Sequence, residues 1–125
     1  VEIWQCDARG IYRHPQDERG ARRHDAAFQG RGKATTDSAG RYSFRTIRPV
    51  PYPGRTPHIH FKVLAPGRNP LVTQMYVFGE PQNTRDGVLN GIRDRRQRDS
   101  VIVRLDPADG VEPGSLAGTF DIVLG

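Results

Sequence analysis

Glycine and proline punctuate this chain too densely for a bundle of long helices. Fourteen Gly and ten Pro stand among 125 residues, and each one breaks a helical ladder or frees the backbone for a turn. Between the breaks lie short apolar runs: "VEIWQC", "RYSFRTI", "HIHFKVL", "LVTQMYVF", "SVIVRL" and "FDIVL". They are rich in Val, Ile, Phe and Tyr and have strand length, so each reads as a β-strand. "DSAGRY" supplies a turn before the second run, and "PADGVEPG" a loop before the last. The pattern predicts an all-β fold, a sandwich or a barrel. Residues 13–34 are polar and charged and read as a long loop. Residues 80–99 allow one short helix around "DGVLNGIRDRRQ", where Val88, Leu89 and Ile92 give a weak apolar stripe. No repeat or linker divides the chain, so residues 1–125 read as one domain, long enough for a real core.

Charge narrows the function. The net charge is +5, with 19 Lys and Arg, and such a surface attracts anions. The basic residues are interleaved with Asp and Glu, and no docking element or row of stacking aromatics accompanies them, so nucleic acid is not an expected partner. No window is apolar enough to span a membrane. The single cysteine, Cys6, excludes an internal disulfide and reads as a small buried apolar residue. The chain opens on Val1, already inside a strand-like run. The expectation is that its first residues are missing, which leaves a cytoplasmic or an exported location open.

The densest chemistry lies in "PYPGRTPHIHFKV", residues 51–63. On a strand, His58 and His60 project to one face, and Ile59, Phe61 and Val63 to the other. Same-face neighbours are roughly 7 Å apart, close enough for two imidazoles to meet one ion. Neutral imidazole is a common ligand of first-row metals. H-x-H is nevertheless a permissive motif, and a solvent-facing pair at a strand start is the equal alternative. The other histidines, His14 and His24, fall in the polar loop, where a third nitrogen for zinc or Fe(II) would have to arise. Tyrosine ligates poorly when neutral, but a highly charged cation stabilises its phenolate. Tyr52, held between Pro51 and Pro53, is one candidate, and packing over the turn is its plainer role.

"VEIWQCDARGIYRHP", "DSAGRYSFRTIRPVPYPGRTPHIHFKV", "LVTQMYVFGEP" and the closing "FDIVLG" together resemble the catalytic domain of intradiol ring-cleavage dioxygenases, and within them the protocatechuate 3,4-dioxygenase group. The likeness runs in order over nearly the whole chain. It implies the family's β-sandwich with long loops, and a mononuclear non-haem Fe(III). It implies Tyr12, Tyr52, His58 and His60 as metal ligands, Tyr52 and His60 axial and Tyr12 and His58 equatorial, with Tyr52 displaced when a catechol binds. Arg55 and Gln74 match a pair beside the substrate, and Trp4 a position near the site. The implied reaction joins a catechol with O2 and breaks the bond between its two hydroxylated carbons, giving a cis,cis-muconate-type diacid without an organic cofactor. Arg55, a permanent planar cation, suits negative charge developing on the ring.

The chain also departs from the pattern. Only "PGRTP" separates Tyr52 from His58, where protocatechuate enzymes carry an insertion, and Gly54 stands where they often carry an aromatic. The compact form resembles single-chain, often exported members. The family carries further strands before "VEIWQ"; a protein without them would have two bare sheet edges, and the expectation is that they precede Val1. Residues 1–125 show no match to the helical dimerisation segment of the catechol and hydroxyquinol enzymes, and self-association stays open. Two other functions remain from the residues: a non-catalytic β-sandwich binding module, and a zinc or Fe(II) enzyme built on His58, His60 and a loop histidine.

Overall fold

A computed structural model describes residues 1–6, 30–108 and 113–124. Alternation organises its central strand. In β3 (His58–Val63), successive side chains face opposite sides. Ile59 and Phe61 enter the core at 5 % exposure each, while His58 and His60 take the other face. Around it stand β1 (Glu2–Trp4), β2 (Arg31–Lys33), β4 (Leu71–Val77) and β5 (Ile102–Val103). They form a five-stranded sheet in the order β2-β1-β3-β4-β5. All pairings are antiparallel except β4 with β5. A separate pair, β6 (Asp106–Pro107) and β7 (Leu116–Ala117), makes a two-stranded sheet. The described residues form no closed barrel.

Parallel strands cannot be joined by a tight hairpin. The β4–β5 connection is accordingly long and helical. It holds a 3-10 helix (Pro81–Arg85), α1 (Gly87–Asn90) and α2 (Arg95–Ser100). Pro81 opens the first, where its missing N–H costs nothing. Asp86 and Asp94 cap the other two by accepting from main-chain N–H groups of the first turn. The sequence suggests one helix here and the fold makes three short ones. Of the expected stripe, Leu89 is buried and Ile92 packs on the core, but Val88 is exposed.

The core holds Ile3, Ile59, Phe61, Met75, Val103 and Phe120, with Tyr76 from the other side of β4 and Leu89 and Val101 from the crossover. Two predicted strands are corrected. "RYSFRTI" and "FDIVL" join no ladder. Side chains tie these segments down instead. Tyr42 and Phe44 set their rings against Phe61, the Tyr42 hydroxyl donates to the Phe120 carbonyl, and buried Gln5 donates to the Ile47 carbonyl. An apolar run signals burial, and here burial comes without strand pairing. The converse error is β2, which falls in the expected loop 13–34. "RGK" carries no apolar signal; its register against β1 makes it a strand. Gly32 lets it lie close, since a β-carbon there would come within 3.3 Å of the Phe44 ring.

Candidate active site

The face of the sheet opposite the core carries a row of functional side chains. Cross-strand register sets Arg31 beside Trp4, Trp4 beside His60, and His60 beside Gln74. The next register position sets His58 beside Tyr76. The His58 and His60 rings stand 4.9 Å apart, edge to face. Trp4 lies flat on His60, with the Arg31 guanidinium 5.8 Å from the indole centre.

His58 is fully buried, and its Nδ1 lies 2.7 Å from the Thr56 carbonyl oxygen. A carbonyl only accepts, so Nδ1 carries the proton and Nε2 keeps its lone pair, the usual arrangement of a ligating imidazole. Burial pushes the His58 pKa down, more than the Thr56 carbonyl raises it. Burial, then the charges of His58 and Arg55, push His60 down to about 4. Both rings are neutral at pH 7 and able to ligate.

Tyr52 and Arg55 close a tight turn, with the Arg55 N–H donating to the Tyr52 carbonyl at 2.7 Å. Pro53 and Gly54 are its central residues, and Gly54 has φ +77°. This is the Pro-Gly signature of a type II turn. Gly54 is thus required by the backbone whatever its effect on the pocket. The turn holds Tyr52 half-buried and starts Arg55 toward the sheet.

Arg55 is clamped on two sides. Its Nε donates to Asp86 Oδ2 at 2.8 Å, and its Nη2 donates to Gln74 Oε1 at 2.6 Å and to the Tyr76 hydroxyl at 3.3 Å. The Tyr76 hydroxyl in turn donates to Gln74 Oε1 at 2.9 Å. Burial, opposed by Arg55, pushes the Tyr76 phenol up to about 12, so it remains a donor at pH 7. Asp86 has no exposed side-chain surface. Burial pushes its carboxyl up, but the Arg55 side chain, the Leu89 and Thr56 N–H groups and the Arg55 charge together hold it below its ordinary range.

The sequence-predicted residues Trp4, Arg55, His58, His60 and Gln74 are therefore brought onto one face, with Tyr52 at the turn beside them. Tyr12, His14 and His24 lie outside the described residues. Among the described residues, no group of three or more His, Cys, Asp or Glu side chains could hold a metal. Two neutral imidazoles share this face, and the half-buried Tyr52 stands in the turn that leads to Arg55. Sequence reasoning missed Thr56, Tyr76 and Asp86. Tyr76 stands two residues along the strand from Gln74, so strand alternation reaches it, whereas nothing beside Asp86 in the sequence signals a contact with Arg55.

A family model described as dioxygenase matches residues 1–125. The protocatechuate 3,4-dioxygenase beta chain of Burkholderia cepacia is 39 % identical over 136 residues, covering 99 % of this chain and 55 % of the relative. The intradiol ring-cleavage dioxygenase hqdA of Aspergillus niger is 30 % identical, covering 99 % and 42 %. This chain is an intradiol ring-cleavage dioxygenase family member. It spans about half the length of these curated relatives. Its fold is also similar to the dioxygenase domain of a dioxygenase carbohydrate-binding protein fusion from Streptomyces sp. SirexAA-E. That match has a TM-score of 0.71 and 38 % identity, covering 98 % of this chain and 65 % of the other. For an intradiol family member, the shared face of His58, His60, Arg55 and Gln74 is the place to look for chemistry.

Proposed function

We propose that this protein is a non-haem Fe(III)-dependent intradiol dioxygenase with the family's β-sandwich catalytic domain. It would cleave a catechol, protocatechuate or a related ring, with O2 to a cis,cis-muconate-type diacid. The observation that carries the reading is the pair of neutral imidazoles on one sheet face, 4.9 Å apart, with Arg55 and Gln74 locked together beside them. Tyr12, Tyr52, His58 and His60 would hold the iron. When bound, it would draw electron density from the catecholate and prepare the ring for O2.

The chain's own residues would do the rest. Tyr52, as a phenolate, can take up one catechol proton. Among the described residues, Arg55 Nη1 and the Gln74 amide nitrogen donate no hydrogen bond to the protein. These spare donors suit the negative charge that develops on the ring. Trp4 and buried Tyr76 give the site apolar walls that limit water. Both atoms of O2 enter the product, so no reductant is consumed. Assembly into an oligomer belongs to the same reading, since relatives are named as alpha and beta chains.

The test is a visible spectrum of concentrated protein, before and after anaerobic addition of protocatechuate. A broad phenolate-to-Fe(III) band that shifts with the catechol is expected. A protein that stays colourless after loading with ferric iron overturns the proposal and leaves a binding module or a zinc site.

A further inference from the structure

We infer that Asp86 is a positioning residue that aims Arg55 and, through the same carboxylate, steadies the peptide that orients His58. The inference rests on the dioxygenase reading for its catalytic consequence, but not for its structural one. Asp86 Oδ2 accepts from Arg55 Nε at 2.8 Å and from the Thr56 N–H at 2.9 Å. Oδ1 accepts from the Val88 and Leu89 N–H groups at 3.0 and 2.9 Å. Four donors fill the four acceptor sites of an ionised carboxylate, so the group has one orientation and no spare capacity. The Thr56 carbonyl, one peptide on, receives Nδ1 of His58, and the Thr56 hydroxyl donates to Asn83 Oδ1 at 2.6 Å. A helix cap from the crossover thus fixes a cation and a histidine that belong to a different stretch of chain. With its Nε–Nη2 edge taken by Asp86, Gln74 and Tyr76, Arg55 has only its Nη1 side to offer a substrate.

The test uses Asp86→Asn in the full chain. Asparagine keeps an oxygen for the Val88 and Leu89 cap but turns an NH2 against the Arg55 and Thr56 donors. The first readout needs no metal: the Arg55 Nε–H signal in nitrogen–proton NMR, assigned by its loss in Arg55→Gln. We expect it slow to exchange with water at pH 7 in the wild type and fast in D86N. The second readout is kinetic. We expect D86N to lose about 10²-fold in kcat with little change in KM. Combined with R55Q, the loss should fall well short of the product of the two single losses, what remains being the Thr56–His58 arm. A wild-type Nε–H that exchanges as fast as that of exposed Arg45 overturns the inference, and that measurement stands even if D86N does not fold. So does a D86N loss that multiplies with R55Q, since Asp86 would then act independently of Arg55. Absence of ring cleavage by the wild type would sink the dioxygenase reading alone, leaving the NMR result to decide the clamp.

Discussion

Trp4 lies face to face with His60, the ring centres 4.8 Å apart and the planes inclined by 2°. The indole fixes the plane of the imidazole. An aromatic pair of this kind contributes about 0.5–1.5 kcal/mol beyond area burial. Trp4→Ala should lower stability by about 2 kcal/mol in urea unfolding, and Trp4→Phe by less than half of that. Trp4 is also the only tryptophan in the chain. Its fluorescence should therefore change in His60→Ala, where the stacked ring is gone; an unchanged spectrum would count against the stack.

Tyr12 and Tyr52 separate the dioxygenase reading from a histidine-only metal site. Tyr12→Phe should weaken both the visible band and iron retention. Equal colour and equal iron content in Tyr12→Phe would show that Tyr12 is not a ligand.

Arg55 and Asp86 form a buried ion pair with the carboxylate wholly inside. Removing one partner of such a pair strands the other. Arg55→Ala should therefore cost about 3 kcal/mol of stability as well as turnover, while the iron stays bound. Adding Asp86→Asn to that variant should restore part of the loss, because the stranded charge disappears and Asn still caps α1. Thermal unfolding of the four proteins reads the coupling.

Acid should reveal the same carboxylate. The free Asp value is 3.8 and the folded value lies below it. The unfolded chain thus binds the Asp86 proton first as pH falls. The contribution of Asp86 is full above the unfolded value and is lost as pH drops through the lower folded one. The stability gap between wild type and D86N should be flat above about pH 5 and shrink below about pH 4.

Two glycines should fail for different reasons. At Gly54 an added β-carbon meets nothing within 4 Å, but φ is +77°, so Gly54→Ala should cost about 1–2 kcal/mol of conformational strain. At Gly118 a β-carbon would sit 2.8 Å from the Arg104 carbonyl oxygen and from the Leu105 and Val103 side chains. Gly118→Ala should cost about 1–3 kcal/mol by overpacking. Substitution by D-alanine, which favours positive φ, should spare the Gly54 turn.

The strands at the centre of the molecule were legible because alternation separates two faces in them: Ile59 and Phe61 toward the core, His58 and His60 toward the opposite side. The edges were not. Arg31–Lys33 is a strand only because Glu2–Trp4 lies beside it, and Tyr42 and Phe44 are apolar for packing that needs no ladder. The candidate site divides in the same way. His58 and His60 share a strand, so spacing alone placed them together. Arg55 and Gln74 were paired from resemblance, and the structure adds that one donates to the other. Asp86 is local in sequence only to the helix it caps, and its contact with Arg55 depends on how the chain returns.

That return is the parallel pairing of β4 with β5, which obliges the chain to make a long helical excursion before re-entering the sheet. Arg55 and Asp86 are 31 residues apart, so their contact closes a larger loop, at a higher cost in chain entropy, than the β3–β4 hairpin does. A growing chain that has completed only the hairpin of β3 and β4 holds both histidines and the Gln74 and Tyr76 side of the Arg55 clamp, but not its Asp86 side. The clamp on Arg55 is therefore complete only once the chain has run on past β4 into the segment that carries Asp86.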